Sequence, residues 1–447
     1  MTLLSGKLAL LVGGGPAPGI NGVISSVTIE AINHGSEVIG IRDGFKWLVK
    51  GDPKNHRPLT IADVKAIHST GGSILGTSRT NPTKNEAEMR QVLESLQRLG
   101  VRSLVAIGGD DTAFTASQVY ARAGGTIRVA HVPKTIDNDL ALPGSAPTFG
   151  FETARHLGVA IVRNVATDAR TTSRWYLIIS MGRAAGHLAL GIGKAAAATL
   201  TIIPEEFRTR PLTLDELCDI IIGSIIKRSS NDSPYGVAIL AEGLMEAIGE
   251  KGLLAALGAE QMKQYGNFKK DPHGHLRLGE VEFGRMVRDR LTIRLQQLNL
   301  QVQLIDKDLG YELRCADPVP FDAEYTRDLG YGAVKFLRSD AAARFGAVIS
   351  FVGGRMLPLP FEQLLDPATG RMQVRRVDVE GEAYECARRY MIRLERTDFE
   401  DPQKLAKIAG AARMDGEVFR KRFGYLVGME APPQLPPIPA TAYSIAG

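Results

Sequence analysis

The first apolar run of the chain, "KLALLV" at 7–12, stops in "GGGPAPG" and gives way to a helix-spaced pattern from Asn21 to His34. Other short apolar runs repeat the form. "EVIGI" (37–41) ends in "RDG", "RSLVAIGGDDT" (102–112) leads into "AFTASQVYARAGG", and "IRVAHVP" (127–133) runs into "KTIDND". Unbroken apolar runs of this length predict strands covered on both faces. Their alternation with helical stretches predicts βαβ units around a parallel sheet. A second series places strands over 175–183, 199–206 and 235–244, with helices over 184–198 and 212–229. The expected fold class is therefore α/β: two Rossmann-like three-layer α/β/α domains.

Past residue 244 the pattern changes. Residues 245–300 are charged, helix-rich and interrupted by "NFKKDPHGHLRLGE", and are expected as a helical insertion. A strand is expected over 345–354 and helical structure from 381 to 396, with "APPQLPPIPATAYSIAG" as a proline-rich tail. The expected domains are 1–143, then 144–311 carrying its insertion at 245–300, then 325–447 as a C-terminal extension. The chain is expected to return to the first domain after about 312.

Composition narrows the function. A net charge of +5 suits an anionic substrate, and no basic run is interleaved with aromatics, so nucleic acid is not an expected partner. The three cysteines, Cys218, Cys315 and Cys386, lie far apart without a CxxC spacing. Neither a disulfide framework nor a zinc site is expected, and a cytoplasmic location fits. The N-terminal apolar run is too short to span a membrane and lacks a basic flank, so it is read as a buried strand.

Ligands of open α/β sheets gather beyond the carboxyl ends of the strands, and the unusual residues fall there. In "GGGPAPGIN" (13–21), Gly14 and Gly15 let backbone N–H groups approach an anion, and the following helix start adds partial positive charge. The stretch lacks the lysine of a Walker motif, and a plain tight turn reads equally well. "GGDDT" (108–112) sets Asp110 beside Asp111. Adjacent carboxylates repel unless a cation is near. One of them could hold Mg²⁺, which takes few protein carboxylates and completes its shell with phosphate oxygens and water. The plainer reading is a helix N-cap.

"PKTIDND" (133–139) alternates Asp137 and Asp139, so in an extended segment they share a face. A carboxylate there can accept the proton of a hydroxyl attacking phosphorus, and Lys134 can neutralise the phosphate. A solvated Asn/Asp turn is the plainer reading. "ISMGRAAGH" (179–187) places Met181, Gly182 and Arg183 where a strand meets a helix, and arginine binds phosphate in a fork. Glu242 in "LAEGL" either caps a turn or holds a sugar hydroxyl. Arg79, Arg174, Tyr311 and Arg314 are phosphate-ligand candidates or solvated surface groups.

Taken in order, "GGGPAPGIN", "GGSILGTSR", "IGGDDT", "PKTIDND", "MGRAAG", "AEG" and "GYELRCADPVPFD" resemble the phosphofructokinase family over most of the first 325 residues. The resemblance implies phosphorylation of carbon 1 of fructose 6-phosphate, two α/β domains with the site in their cleft, Mg²⁺, and a homodimer or homotetramer. Members that use ATP read GGDG and PGTIDND, whereas this chain has Asp111 and Lys134 at those glycines. Both replacements resemble the pyrophosphate-dependent branch. A carboxylate at 111 would oppose a nucleotide α-phosphate. Lys134 would pair with pyrophosphate, and with Asp111 if the two face each other.

On this resemblance Asp137 is the general base, Asp110 the metal-linked aspartate and Asp139 its support. Gly14, Gly15, Arg79, Lys134 and Thr135 take the donor, and Arg183 stabilises the transferred phosphoryl group. Met181, Gly182 and Glu242 contact the sugar phosphate, together with Thr135, Asp137, Asp139 and Arg183. Tyr311 and Arg314 hold its 6-phosphate end, and Arg174 reaches a neighbouring subunit's substrate. The chain departs from the short bacterial pattern at Pro16, where an aspartate is usual, and at Tyr311, where histidine is usual. An arginine expected shortly before Tyr311 is replaced in the neighbourhood by Lys307, at a different spacing. Two other readings stand beside this one: an ATP-dependent or mixed-donor sugar-phosphate kinase, and a non-catalytic subunit that senses a sugar phosphate.

Overall fold

The computed structural model describes residues 6–266, 268, 280–436 and 438. The chain divides into two compact units. The first takes in the chain up to Leu157 and again Tyr311–Arg375. The second takes in the described residues between Gly158 and Gly310 and those from Arg376 onward.

Numbered along the chain, the strands of the first unit are β1 (Lys7–Val12), β2 (Glu37–Ile41), β3 (His56–Pro58), β4 (Val101–Gly108), β5 (Arg128–Pro133), β10 (Ala347–Val352) and β11 (Arg355–Pro360). Those of the second are β6 (Trp175–Ser180), β7 (Leu200–Ile202), β8 (Gly236–Ala241) and β9 (Leu304–Leu309).

The first sheet runs β11-β10-β5-β4-β1-β2-β3. Its inner pairings are parallel, while β3 and β11 pair antiparallel at the two edges. The edge strands "HRP" and "RMLPLP" have no continuous apolar run and carry prolines, which an edge tolerates because one row of N–H groups has no strand to meet. Strand β1 shows how the two faces are covered. Leu8, Leu10 and Val12 pack with the helices Ile20–Asn33 and Pro320–Leu337, while Ala9 and Leu11 pack with Glu86–Arg98 and Asp110–Ala123. At about 25 cal/mol per Å² of buried apolar surface, such two-sided burial is the main stabilising term of the sheet.

The second sheet runs β7-β8-β6-β9, all parallel. Trp175, Leu177 and Ile179 meet the helices Leu214–Ser229 and Phe283–Gln297, and Phe399, Phe419 and Phe423 complete the same core. Strand β9, "LIDKDL", is an element the apolar pattern does not predict. It is a half-exposed edge strand, and Asp306 on it pairs with Arg288 at 2.8 Å. The strand expected over 199–206 is reduced to β7, because Pro204 brings no N–H and opens the 3₁₀ turn Pro204–Phe207. The helical stretch expected from 381 to 396 is the helix Glu382–Arg389, after which the chain leaves helical geometry until Arg396–Glu400. The interruption expected over 267–280 lies almost wholly outside the described residues, as does most of the proline-rich end.

Among the described residues no helix is long and apolar enough to cross a membrane. The parallel strands aim their carboxyl ends at the quoted motifs: β1, β4 and β5 in the first unit, β6 and β8 in the second.

Candidate active site

In the first unit β1, β4 and β5 end side by side. Gly13 N–H donates to the Ile107 carbonyl at 2.9 Å, and Lys134 N–H to the Gly108 carbonyl at 2.8 Å. The segment from Thr70 to Arg79 is tied to the first loop. Gly14 N–H donates to the Ser78 carbonyl at 2.9 Å, and Thr77 Oγ1 donates to the Gly14 carbonyl at 2.7 Å. Buried Asn21, at the start of the helix Ile20–Asn33, organises the same segment. Its amide donates to Thr70 Oγ1 and the Gly71 carbonyl, each at 3.0 Å, and its Oδ1 accepts Ile74 N–H at 3.0 Å. Gly14 has φ +81°, a backbone conformation that calls for glycine, and a Cβ there would stand 3.3 Å from Lys134 Nζ.

Lys134 is the electrostatic centre of the group. Its side chain is buried, and Nζ donates to the Gly15 carbonyl. The Arg314 guanidinium carbon is 3.6 Å from where a Gly15 Cβ would be. Burial lowers the Lys134 pKa to about 8, and the charges of Arg314 and Arg79 push the same way, while Asp137 and Asp110 oppose them. Three cations converging on one glycine loop form a ready site for a compact polyanion.

The acidic groups lie against this cluster. Asp110 and Asp111 open the helix Asp110–Ala123, whose N-terminus stabilises negative charge, so the helix-start and functional readings coincide. Asp139 is buried, and its pKa is pushed well above the usual carboxylate range, by burial first and then by the charges of Asp137 and Asp110. The carboxylates of Asp139, Asp137 and Asp110 are hard oxygen donors. Among the described residues, however, no group of three His, Cys, Asp or Glu side chains is close enough to hold an ion alone. Carboxylate oxygens are the donor type that a hard divalent cation takes, together with phosphate and water.

The loop after β5 is held from several directions. Thr135 Oγ1 accepts Asp137 N–H at 3.0 Å, and Thr148 Oγ1 donates to the Thr135 carbonyl at 2.7 Å. Asn138 takes φ 55° between the two aspartates, and Arg375 grips it through the guanidinium. Sequence reasoning did not single out Asn21, Asn138, Thr148 or Arg375. Asn21 and Asn138 stand inside quoted motifs, but Arg375 is 237 positions from Asn138 along the chain and carries no local signal.

In the second unit Met181, Gly182, Arg183 and Glu242 come together where β6 and β8 end. Glu242 N–H donates to the Ser180 carbonyl at 2.9 Å, and Gly182 N–H donates to Glu242 Oε1 at 3.1 Å. Gly182 has φ +135°, and a Cβ would lie 2.7 Å from the Ala185 carbonyl oxygen. Arg174 is not part of this group. It precedes β6 at the opposite strand end and donates to Gln303 Oε1 at 2.8 Å.

Tyr311 and Arg314 fall in the first unit, on the 3₁₀ turn Tyr311–Arg314. Tyr311 is 65% exposed, and the guanidinium lies over its ring at 4.9 Å. Arg393 is buried in the second unit, in an ion pair with Glu206 at 2.5 Å.

A parallel α/β sheet whose strand ends gather a glycine loop, paired carboxylates and a lysine–arginine cluster defines the class of phosphoryl-handling α/β proteins. The sequence profile described as Phosphofructokinase matches residues 7–337, and the chain belongs to the phosphofructokinase family. Over 417 residues it is 52% identical to the pyrophosphate–fructose 6-phosphate 1-phosphotransferase of Thermotoga maritima, covering 93% of this chain and 98% of that one. The protein of the same name from Naegleria fowleri is 50% identical over 427 residues, covering 94% and 95%. Among solved structures, the pyrophosphate-dependent phosphofructokinase from Marinobacter aquaeolei superposes with a TM-score of 0.61 over 92% of each chain. At 17% identity, that likeness bears on the fold alone.

Proposed function

We propose that the chain is a phosphotransferase that moves a phosphoryl group reversibly between pyrophosphate and the 1-hydroxyl of fructose 6-phosphate. The 1-oxygen attacks the terminal phosphorus, the bridging P–O bond breaks, and orthophosphate leaves. Asp137 takes the hydroxyl proton. The buried Lys134, pressed by Arg314 and Arg79 beside the glycine loop, is the observation that carries this reading. A donor with no nucleoside to bind must be held by charge, and this cluster supplies it. Asp111 adds a carboxylate where a nucleotide α-phosphate would otherwise lie.

The resident ion is assigned as Mg²⁺. Asp110 would hold it, with Asp139 in support, and when bound it would neutralise phosphate oxygens of the donor. Gly14, Gly15, Arg79, Lys134 and Thr135 bind the donor. Met181, Gly182, Arg183 and Glu242 bind the sugar phosphate, and Arg183 also stabilises the transferring group. Tyr311 is assigned to its 6-phosphate end, whereas Arg314, expected there too, lies against Gly15 beside Lys134 and is assigned to the donor cluster. Arg174, turned to the far end of its strand, is assigned to a second subunit's substrate in a homodimer or homotetramer. The protein is placed in the cytoplasm.

The test is turnover of the purified protein with fructose 6-phosphate and Mg²⁺ and either donor. The expected result is turnover with pyrophosphate in both directions and little with ATP. Strong turnover with ATP and none with pyrophosphate would reject the reading.

A further inference from the structure

We propose that Arg375 is a positioning residue for phosphoryl transfer: it locks the turn at Asn138 that sets the directions of Asp137 and Asp139. The inference rests on the function proposed above. Asn138 is a non-glycine residue with φ 55°, a conformation that Asn tolerates but does not prefer over extended backbone. Such a conformation persists when its surroundings over-determine it. Arg375 supplies most of that determination. Its Nε donates to the Asn138 carbonyl at 3.1 Å, its Nη1 to the Ala146 carbonyl at 2.8 Å, and its Nη2 to Asn138 Oδ1. Its own N–H donates to the Asp139 carbonyl at 2.7 Å, and Val374 pairs with Leu140 in a single antiparallel bridge.

The guanidinium thus spans both limbs of the loop from Asn138 to Ala146. Thr148 closes the ring, donating its N–H to Asn138 Oδ1 at 3.0 Å and its hydroxyl to the Thr135 carbonyl at 2.7 Å. These contacts fix the backbone on either side of Asn138. Because the two aspartates flank that residue, a change in its φ redirects both carboxylates. Lysine can satisfy only part of this grip, since it has one nitrogen where three separated donors are used.

The experiment compares wild-type protein, R375M, R375K and N138G in steady-state kinetics with pyrophosphate, beside thermal unfolding of each. R375M is expected to lose roughly 10²-fold in kcat, the scale of a misplaced reacting group, with KM for both substrates within about threefold. Added guanidinium, well below denaturing concentration, should restore part of that loss in folded R375M and do nothing for wild type. N138G lowers the cost of positive φ but removes the side-chain acceptor, and combining it with R375M should cost less than the two effects added. Wild-type kcat in R375M, or a loss confined to KM, overturns the proposal. So does a folded R375M whose loss guanidinium does not relieve. If R375M does not fold, R375K is read instead: a kcat well below wild type supports the grip, and a wild-type kcat overturns it. Wild-type turnover with pyrophosphate is measured in the same series, so failure of the proposed function shows separately from failure of the Arg375 assignment.

Discussion

Burial and two neighbouring guanidiniums hold the Lys134 pKa at about 8, below the 10.5 of an unfolded lysine. A group with a depressed folded pKa favours the fold above its unfolded value, here 10.5, and loses that contribution as pH falls through about 8. Protonated Lys134 is therefore an internal cost near neutrality, and a bound polyanion relieves it. Pyrophosphate should raise the lysine pKa, so binding near pH 8 takes up protons and weakens as pH rises further. Calorimetry in buffers of different ionisation enthalpy measures the uptake. In K134M the lysine contribution should vanish, and uptake equal to wild type would show that another group titrates. Asp137 calls for a different expectation. D137S should cut kcat by about 10²–10⁴ while sugar-phosphate binding persists, the scale of a lost general base. Unchanged turnover would remove it from that role.

At the scale of elements, legibility followed solvent. The runs of β1, β4, β5, β6 and β8 are covered by protein on both faces and are mostly apolar, with few polar positions such as Lys7, Arg102 and His131, so the apolar runs mark them. Strand β9 is half exposed at an edge and carries Asp306, which pairs with Arg288, so its sequence reads as polar. The same holds for the candidate site. Residues placed by a strand end and its turn, such as Lys134 and Asp110, could be found because strand, turn and side chain are contiguous in sequence. Arg375 meets Asn138 from 237 positions away and Asp322 meets Gly150 from 172, and contact across such a distance leaves no periodicity to read.

Asp322 makes the point quantitative. From the first turn of the helix Pro320–Leu337 its buried carboxylate accepts Gly150 N–H at 2.9 Å, Thr153 N–H at 2.7 Å and the Thr153 hydroxyl at 2.6 Å. It thereby tethers the start of the helix Phe151–Thr172. D322A strands these donors in a buried place at about 1–3 kcal/mol each, so a loss of roughly 3 kcal/mol or more is expected. Urea unfolding measures it, and D322N, which keeps one acceptor and the shape, should lose less. A loss below about 1 kcal/mol in D322A would mean that water takes the place of the carboxylate.

At the scale of the whole molecule the end of the chain matters through the core it completes. From Arg376 onward it belongs to the second unit, and Phe399, Phe419 and Phe423 are buried there with Trp175 and the helix Leu214–Ser229. The Asp219 carboxylate on that helix is fully buried, with three donors all supplied by the end segment. These are both terminal nitrogens of Arg422, at 2.6 and 2.5 Å, and the Tyr425 hydroxyl at 2.6 Å. Arg294 adds a further tie, donating to the Pro436 carbonyl at 2.9 Å. Breaking a buried pair on one side leaves an uncompensated charge, which costs about 3–5 kcal/mol. R422M should therefore lower the free energy of unfolding measured by chemical denaturation by that amount, and D219L/R422M, which removes both charges, should recover much of the loss. Removal of residues 415–447 takes away two buried phenylalanines together with all three donors, and it should leave the chain insoluble rather than merely inactive. A soluble truncated chain with native circular dichroism would show that Asp219 finds water or another donor, and that the end segment is not needed for this core.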